Sequence, residues 1–215
     1  MDDFLNTPFS EPYYFLVLSI IIFAIVFLRY LLFSGMYHLL FYVWLKPKFQ
    51  KRIINLNPKQ KKQARLEIYR SAITSLIFAF SGTILVIFWQ KGYTQLYIEW
   101  NTFPLWYLPI SLLLALVIHE TYYYWLHRWM HLPKVYRVVH QWHHDSIETS
   151  SLTSFSFHPI ESILQAIVVP VLILFLPMHL SVLFLLLLIM TISGTINHAG
   201  VEIYPEAFNL SLIHI

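Results

Sequence analysis

The sequence predicts an all-α protein, a multi-pass transmembrane helical bundle with a cytoplasmic histidine-rich cap. Three observations carry this. Hydrophobic residues make up 58% of the 215 residues and charged ones only 12%, about half the charged share of an ordinary soluble domain. The apolar residues fall in long runs: 12–45 holds one charge, Arg29, while 71–90, 100–119 and 162–201 hold none. Five of the eleven histidines crowd into residues 127–144. A disordered chain would lack this apolar mass, and a soluble one would have too little polar surface to cover it.

A membrane-crossing helix needs about 20 mostly apolar residues. Residues 12–45 are expected to cross once, with Gly35 marking where the span turns into an interfacial segment. Ahead of them stand Asp2, Asp3 and Glu11 and no basic residue, unlike a secretory signal peptide. Nine of the fourteen Lys and Arg residues then fall between 46 and 70: Lys46, Lys48, Lys51, Arg52, Lys59, Lys61, Lys62, Arg65 and Arg70, opposed only by Glu67. The positive-inside rule puts this loop in the cytoplasm, where it can also meet anionic head groups. Nucleic acid is not the expected partner, because the basic residues sit in one loop between apolar spans.

Residues 71–90 cross outward. Trp89, Tyr93, Tyr97, Trp100, Trp106 and Tyr107 suit an aromatic belt at the outer interface. Residues 104–126 cross back. The uncharged run 162–201 would make ~60 Å of helix, about two hydrocarbon thicknesses. Pro177 divides it into antiparallel passes at about 160–176 and 179–197. Parity then places His127 to His158, and His198, on the cytoplasmic face, and His179 at the far tip of the hairpin.

No cysteine is present, which removes disulfides, iron–sulfur clusters, thiolate haem and sulfur-ligated zinc. The histidines read HRWMH at 127–131 and HQWHH at 140–144. His127 and His131 share one helix face, as do His140 and His144, with His143 beside them. Pro133 can end the first helix and open the second, letting the two faces approach. Imidazole is a neutral ligand for iron, zinc, copper and nickel, and five in one short segment exceed the needs of one open-site ion. Two metals are the natural inference. HExxH zinc chemistry fails at the motif, since Tyr123 stands where the second histidine belongs.

His198 is placed on the same side by parity. His119, His158, Glu120 and Asp145 are candidates for additional ligands or for groups behind the ligands. Glu148, Glu161 and Glu202 are further carboxylates able to orient ligand rings. His38 and His179 read as structural, and Arg128 as a partner for a carboxylate or a lipid phosphate. The alternative readings are a metal transporter, which would need polar residues along spans that are here nearly bare of them, and a membrane haem-binding electron carrier, which would need histidine pairs on facing helices within the bilayer, whereas these sit in and beside a cytoplasmic loop. Nor is a nucleophile–base arrangement or a phosphate-binding glycine loop visible.

The run HETYYYWLHRWMHLPKVYRVVHQWHH, with SFSFHPIES and NHAG downstream, resembles the fatty acid hydroxylase and sterol desaturase superfamily over about residues 104–215. The resemblance implies an integral membrane oxygenase whose histidines hold two non-haem irons. It would hydroxylate or desaturate a sterol or fatty acyl lipid with O2, drawing electrons from an external donor of the cytochrome b5, ferredoxin or reductase type, in a bacterial inner membrane or the endoplasmic reticulum. It matches His127 and His131 to the first histidine box, His140, His143 and His144 to the second, His198 to the histidine preceding the third, and His214 to the start of the third. No catalytic residue separate from these ligands is implied. Glu120 stands where the family often has Asp. The family's third box reads HxxHH, but Ile215 closes this chain, so two ligands are missing. The expected organisation is an N-terminal transmembrane region, 1–103, with the basic loop 46–70, and a fatty acid hydroxylase-like catalytic region, 104–215, truncated at its C-terminal end. By itself this chain is expected to be a catalytically incomplete fragment.

Overall fold

The computed structural model describes residues 7–54 and 61–203; Asp2, Asp3, Lys59 and His214 lie outside the described residues. Helix α1 (Pro12–His38) opens on Pro12, whose fixed φ and missing N–H suit a first turn. It runs on as π-helix over Leu39–Trp44. Gly35 does not turn the chain out of the span: it lies inside α1, with open space around its α-carbon. The short α2 (Lys46–Phe49) and a 3-10 turn (Gln50–Arg52) follow. Helix α3 (Lys61–Gln90) starts well before the apolar run. Lys61, Lys62, Arg65, Glu67 and Arg70 are therefore helical, and the basic segment is shorter as a loop than its charge pattern implies.

Helix α4 (Tyr107–Met130) precedes two short helices, α5 (Pro133–Val139) and α6 (Gln141–His144). The expected pass over 160–176 is broken into α7 (Pro159–Ala166) and α8 (Val168–Phe175). Pro170 accounts for this. It has no N–H to offer the carbonyl of Ala166, and its ring crowds that carbonyl. Pro177 does separate the hairpin arms, and α9 (Leu180–Asn197) begins just after it, capped by His179, whose Nδ1 accepts from the Ser181 amide at 3.1 Å. One feature departs from an all-α chain. Strands β1 (Leu96–Tyr97) and β2 (Met178–His179) pair in parallel, tying the aromatic loop to the hairpin tip.

Three helical stretches, Pro12–Trp44, Lys61–Gln90 and Leu180–Asn197, are long and apolar enough to cross a membrane, and the chain reads as a membrane protein. The other two expected crossings fall short among the described residues: α4 turns polar from His119 onward, and α7–α8 is two short pieces. Helices α4, α8 and α9 meet around Ala115, Leu172, Ile173, Met178 and Leu186. Helices α1 and α3 pack through small residues. Ser19 and Thr83 share a 2.9 Å hydrogen bond, and a Cβ at Gly82 would come within 3.3 Å of Ile22, the kind of close approach that holds helices together in lipid. At one end of the bundle the first and last helices are clasped. The Tyr42 hydroxyl donates to the Ala199 carbonyl at 2.9 Å, Ile53 bridges to Val201, and the Glu202 amide donates to Arg52 at 2.8 Å.

Candidate metal centre

The clasped end carries the histidines. Helix α4 stops at Met130 and Pro133 opens α5, as a residue without an N–H dictates. His127 and His131 project from the last turn of α4 with their Nε2 atoms 3.1 Å apart. His140 lies between α5 and α6, and its Nε2 is 3.1 Å from Nε2 of His144. His143 turns to α9, where its Nε2 lies 2.9 Å from Nε2 of His198. The pairs are contiguous. Ring centroids are 4.8 Å apart for His127–His140, 5.0 Å for His131–His140 and for His131–His144, and 5.4 Å for His140–His143. One donor atom each from His127, His131 and His140 lies within 4.8 Å of the others. Leu126, Met130 and Val139 are buried together alongside. On α9 the chain leaves His198 through Gly200, at a φ of 68° that an L side chain adopts only with strain.

This donor set fits a metal. Nδ1 of His143 faces the Ser156 carbonyl at 3.3 Å, and Nδ1 of His198 faces the Gly194 carbonyl at 2.7 Å. A carbonyl only accepts, so each Nδ1 carries the proton. Two neutral rings in that tautomer aim bare lone pairs at each other across 2.9 Å, which is repulsive without a cation to share them. Two nitrogens bound at about 2.1 Å to one ion, at about a right angle, would lie ~3.0 Å apart. Burial reinforces this by holding the rings unprotonated. It pushes His140 and His144 down to about 4, His144 also under the repulsion of neighbouring imidazoles, and it holds His143 well below the usual histidine range. Neutral imidazole is the ligating form.

The remaining candidates are not drawn into the cluster. Nδ1 of His119 pairs with Glu120 at 3.0 Å, and its ring stacks on Tyr123, which stacks in turn on His127. His158 caps α7, accepting from the Ile160 amide at 3.3 Å, and meets Trp142 edge-on. Asp145 lies 3.4 Å from Arg70. Glu202 is exposed. Arg128 donates to the Tyr124 hydroxyl at 3.1 Å and lies over Trp125. His38 stacks on Tyr42, and His179 reaches the Ile98 carbonyl at 3.1 Å, both structural roles.

Two functional groups in α3 stand where the charge pattern alone predicts a basic loop. Arg70 donates to the Trp142 carbonyl, and its guanidinium lies 4.9 Å from the Trp142 ring. Glu67 is buried, accepting from Gln63 at 3.0 Å and from Thr153 at 3.1 Å. A charge at the edge of an apolar span is the signal that marks them. Glu161, named above as one of several carboxylates, reaches a cluster ring: its Oε1 lies 3.0 Å from Nδ1 of His140.

Residues 112–214 match the fatty acid hydroxylase family. The Delta(7)-sterol 5(6)-desaturase ERG3 of Candida albicans is 31% identical over 193 residues, which are 86% of this chain and 47% of that protein. The Delta(7)-sterol 5(6)-desaturase of Leptosphaeria maculans is 30% identical over 64% of this chain and 37% of its own length, and ERG3 of Saccharomyces cerevisiae is 30% identical over 61% and 36%. The chain thus spans less than half the length of these relatives. No solved structure matches it. This chain is similar to the sterol desaturases, and its residues 112–214, which carry all six imidazoles of the cluster, match the fatty acid hydroxylase family.

Proposed function

We propose that this protein acts as a membrane-bound, non-haem di-iron oxygenase that desaturates or hydroxylates a lipid, a sterol before a fatty acyl chain, using O2 and electrons from an external donor. The observation that carries the reading is the convergence of six Nε2 atoms in three pairs at 2.9–3.1 Å, in a region that matches the fatty acid hydroxylase family. His127, His131, His140, His143, His144 and His198 would hold the metal. When bound, the irons supply reduction of O2 and removal of hydrogen from an unactivated C–H bond. All-imidazole ligation leaves such a centre more electropositive than carboxylates would.

The chain's own residues do the rest. Backbone carbonyls of Ser156 and Gly194 fix the His143 and His198 rings. Arg70 ties the His140–His144 segment to α3. Between α3, α7 and α8 an apolar cavity of about 450 Å³, lined by residues such as Phe80, Ile84, Ile163 and Val171, offers hydrocarbon a way in from the bilayer. The exposed Lys46, Lys48 and Lys51 lead into Arg52, whose carbonyl accepts from the Glu202 amide just past His198. By the positive-inside rule this supports a cytoplasmic cluster. Regions 1–103 and 104–215 then act together, the first as scaffold and the second as ligand donor.

Metal analysis and the absorption spectrum of the purified protein test the reading. About two irons per chain without a haem Soret band is the expected result. A Soret band, or no iron after reconstitution, would overturn it. Offering sterols and fatty acyl lipids side by side then separates the substrate classes.

A further inference from the structure

His140 is the hub of the cluster. Its ring centroid lies within 5.4 Å of four other imidazoles, those of His127, His131, His143 and His144. It links the α4 pair to the pair that reaches α9, so its orientation decides whether the donors converge. His143 and His198 are oriented by backbone carbonyls. His140 is not. Behind its Nδ1, at 3.0 Å, stands a carboxylate, Glu161, and both side chains are 1% exposed. The contact is within ion-pair reach though off the line of a full hydrogen bond, as is common in sites without their ligand.

Glu161 is itself held in place. It lies in the first turn of α7, behind the His158 cap and Pro159. Gln165, one turn on, donates to its Oε1 at 3.1 Å. The next residue, Ser162, shares a 2.9 Å hydrogen bond with Thr74, pinning α7 to α3. The second carboxylate oxygen, Oε2, is buried with no hydrogen-bond partner among the described residues. An enclosed carboxylate in that condition is costly unless positive charge stands close by. An imidazole whose other nitrogen is bound to a cation supplies such charge. A cation bound through His140 would offset that cost.

We propose that Glu161 is the positioning residue of the metal centre, its carboxylate holding the Nδ1 side of His140 so that Nε2 stays turned toward the other imidazoles. The proposal rests on the metal-centre reading above. Glu161 touches neither substrate nor metal, and acts through the ring it orients and makes more basic. Carboxylates placed behind ligand histidines typically change metal affinity by about 10–100-fold.

The test is titration of the purified whole protein, anaerobically with Fe(II) and separately with Co(II), comparing wild type, Glu161→Gln, Glu161→Ala and His140→Ala. Glu161→Gln keeps shape and one acceptor oxygen but loses the charge, so its iron affinity should fall by about tenfold, and that of Glu161→Ala by up to about a hundredfold. The visible bands of bound Co(II) should shift in Glu161→Gln while the melting temperature of the metal-free variant stays at the wild-type value. A merely structural residue would move the melting temperature and leave the Co(II) bands alone. If both Glu161 variants bind iron like wild type while His140→Ala loses it, the centre stands and the positioning role falls. If His140→Ala also binds like wild type, or the wild type binds neither ion, the centre falls and the inference with it.

Discussion

Nε2 of His143 faces Nε2 of His198 at 2.9 Å although 55 residues separate them. This contact joins α6 to the end of α9, and each ring is braced from behind by a carbonyl. It is where two separate stretches of the region 112–214 become one site.

His143→Ala and His198→Ala should each remove iron, since each takes away one half of that contact, while membrane insertion is retained. Iron per chain and protease protection in membranes measure the two effects. Wild-type iron content in both variants would contradict the assignment.

His158→Ala is expected to behave differently. His158 caps α7 and does not face the cluster. Losing a helix cap costs about 1 kcal/mol, so the melting temperature should drop by a few degrees with iron content unchanged. Loss of iron without loss of stability would make His158 a ligand after all.

Arg70→Ala should loosen the second histidine segment. The side chain bonds the Trp142 carbonyl, approaches Asp145 at 3.4 Å and lies against the Trp142 ring. Removing a charged, largely buried donor of this kind costs about 2 kcal/mol. Faster amide exchange over residues 140–146 and weaker iron binding are the expected readouts. Arg70→Lys should restore little, because a compact ammonium lacks the planar fork that spans these acceptors and lies against the Trp142 ring. Unchanged exchange in Arg70→Ala would show that the segment holds itself.

The metal-free protein should lose stability in mild acid. Burial holds His140 and His144 at about 4 and His143 well below the usual histidine range, whereas histidine in an unfolded chain titrates near ~6.5. Between those values the unfolded state binds protons that the folded state refuses. Stability is therefore full above about pH 6.5 and declines as the pH falls toward 4. Melting curves of the metal-free protein across this window check the sign, and a flat profile would mean the rings are not buried together.

Much of this was legible in the sequence because the decisive signals are local. HRWMH and HQWHH set their histidines one helical turn apart, Pro133 punctuates between them, and the run 162–201 with Pro177 near its middle requires a hairpin that returns His198 to the same end. What the chain hid was non-local or competing. Pro170 breaks the first arm of the hairpin, a local effect outweighed in the reading by the length of the apolar run. Glu67 and Arg70 looked like members of a charged loop, because charge pattern alone does not tell where a helix begins. Glu161 was one carboxylate among several until tertiary packing placed it behind His140. His158, read as able to reach the site, is held instead by the helix it caps, since a residue just before Pro159 is already committed to that turn.

The Tyr42–Ala199 clasp and the His143–His198 contact also set a timetable. During synthesis the chain emerges N-terminus first, so α1 and α3 can enter the bilayer while the ribosome is still far from residue 198. The six-imidazole cluster cannot exist until α9 has emerged and closed against the end of α1. Of the six imidazoles, the five of residues 127–144 are made before then, and His198 comes last.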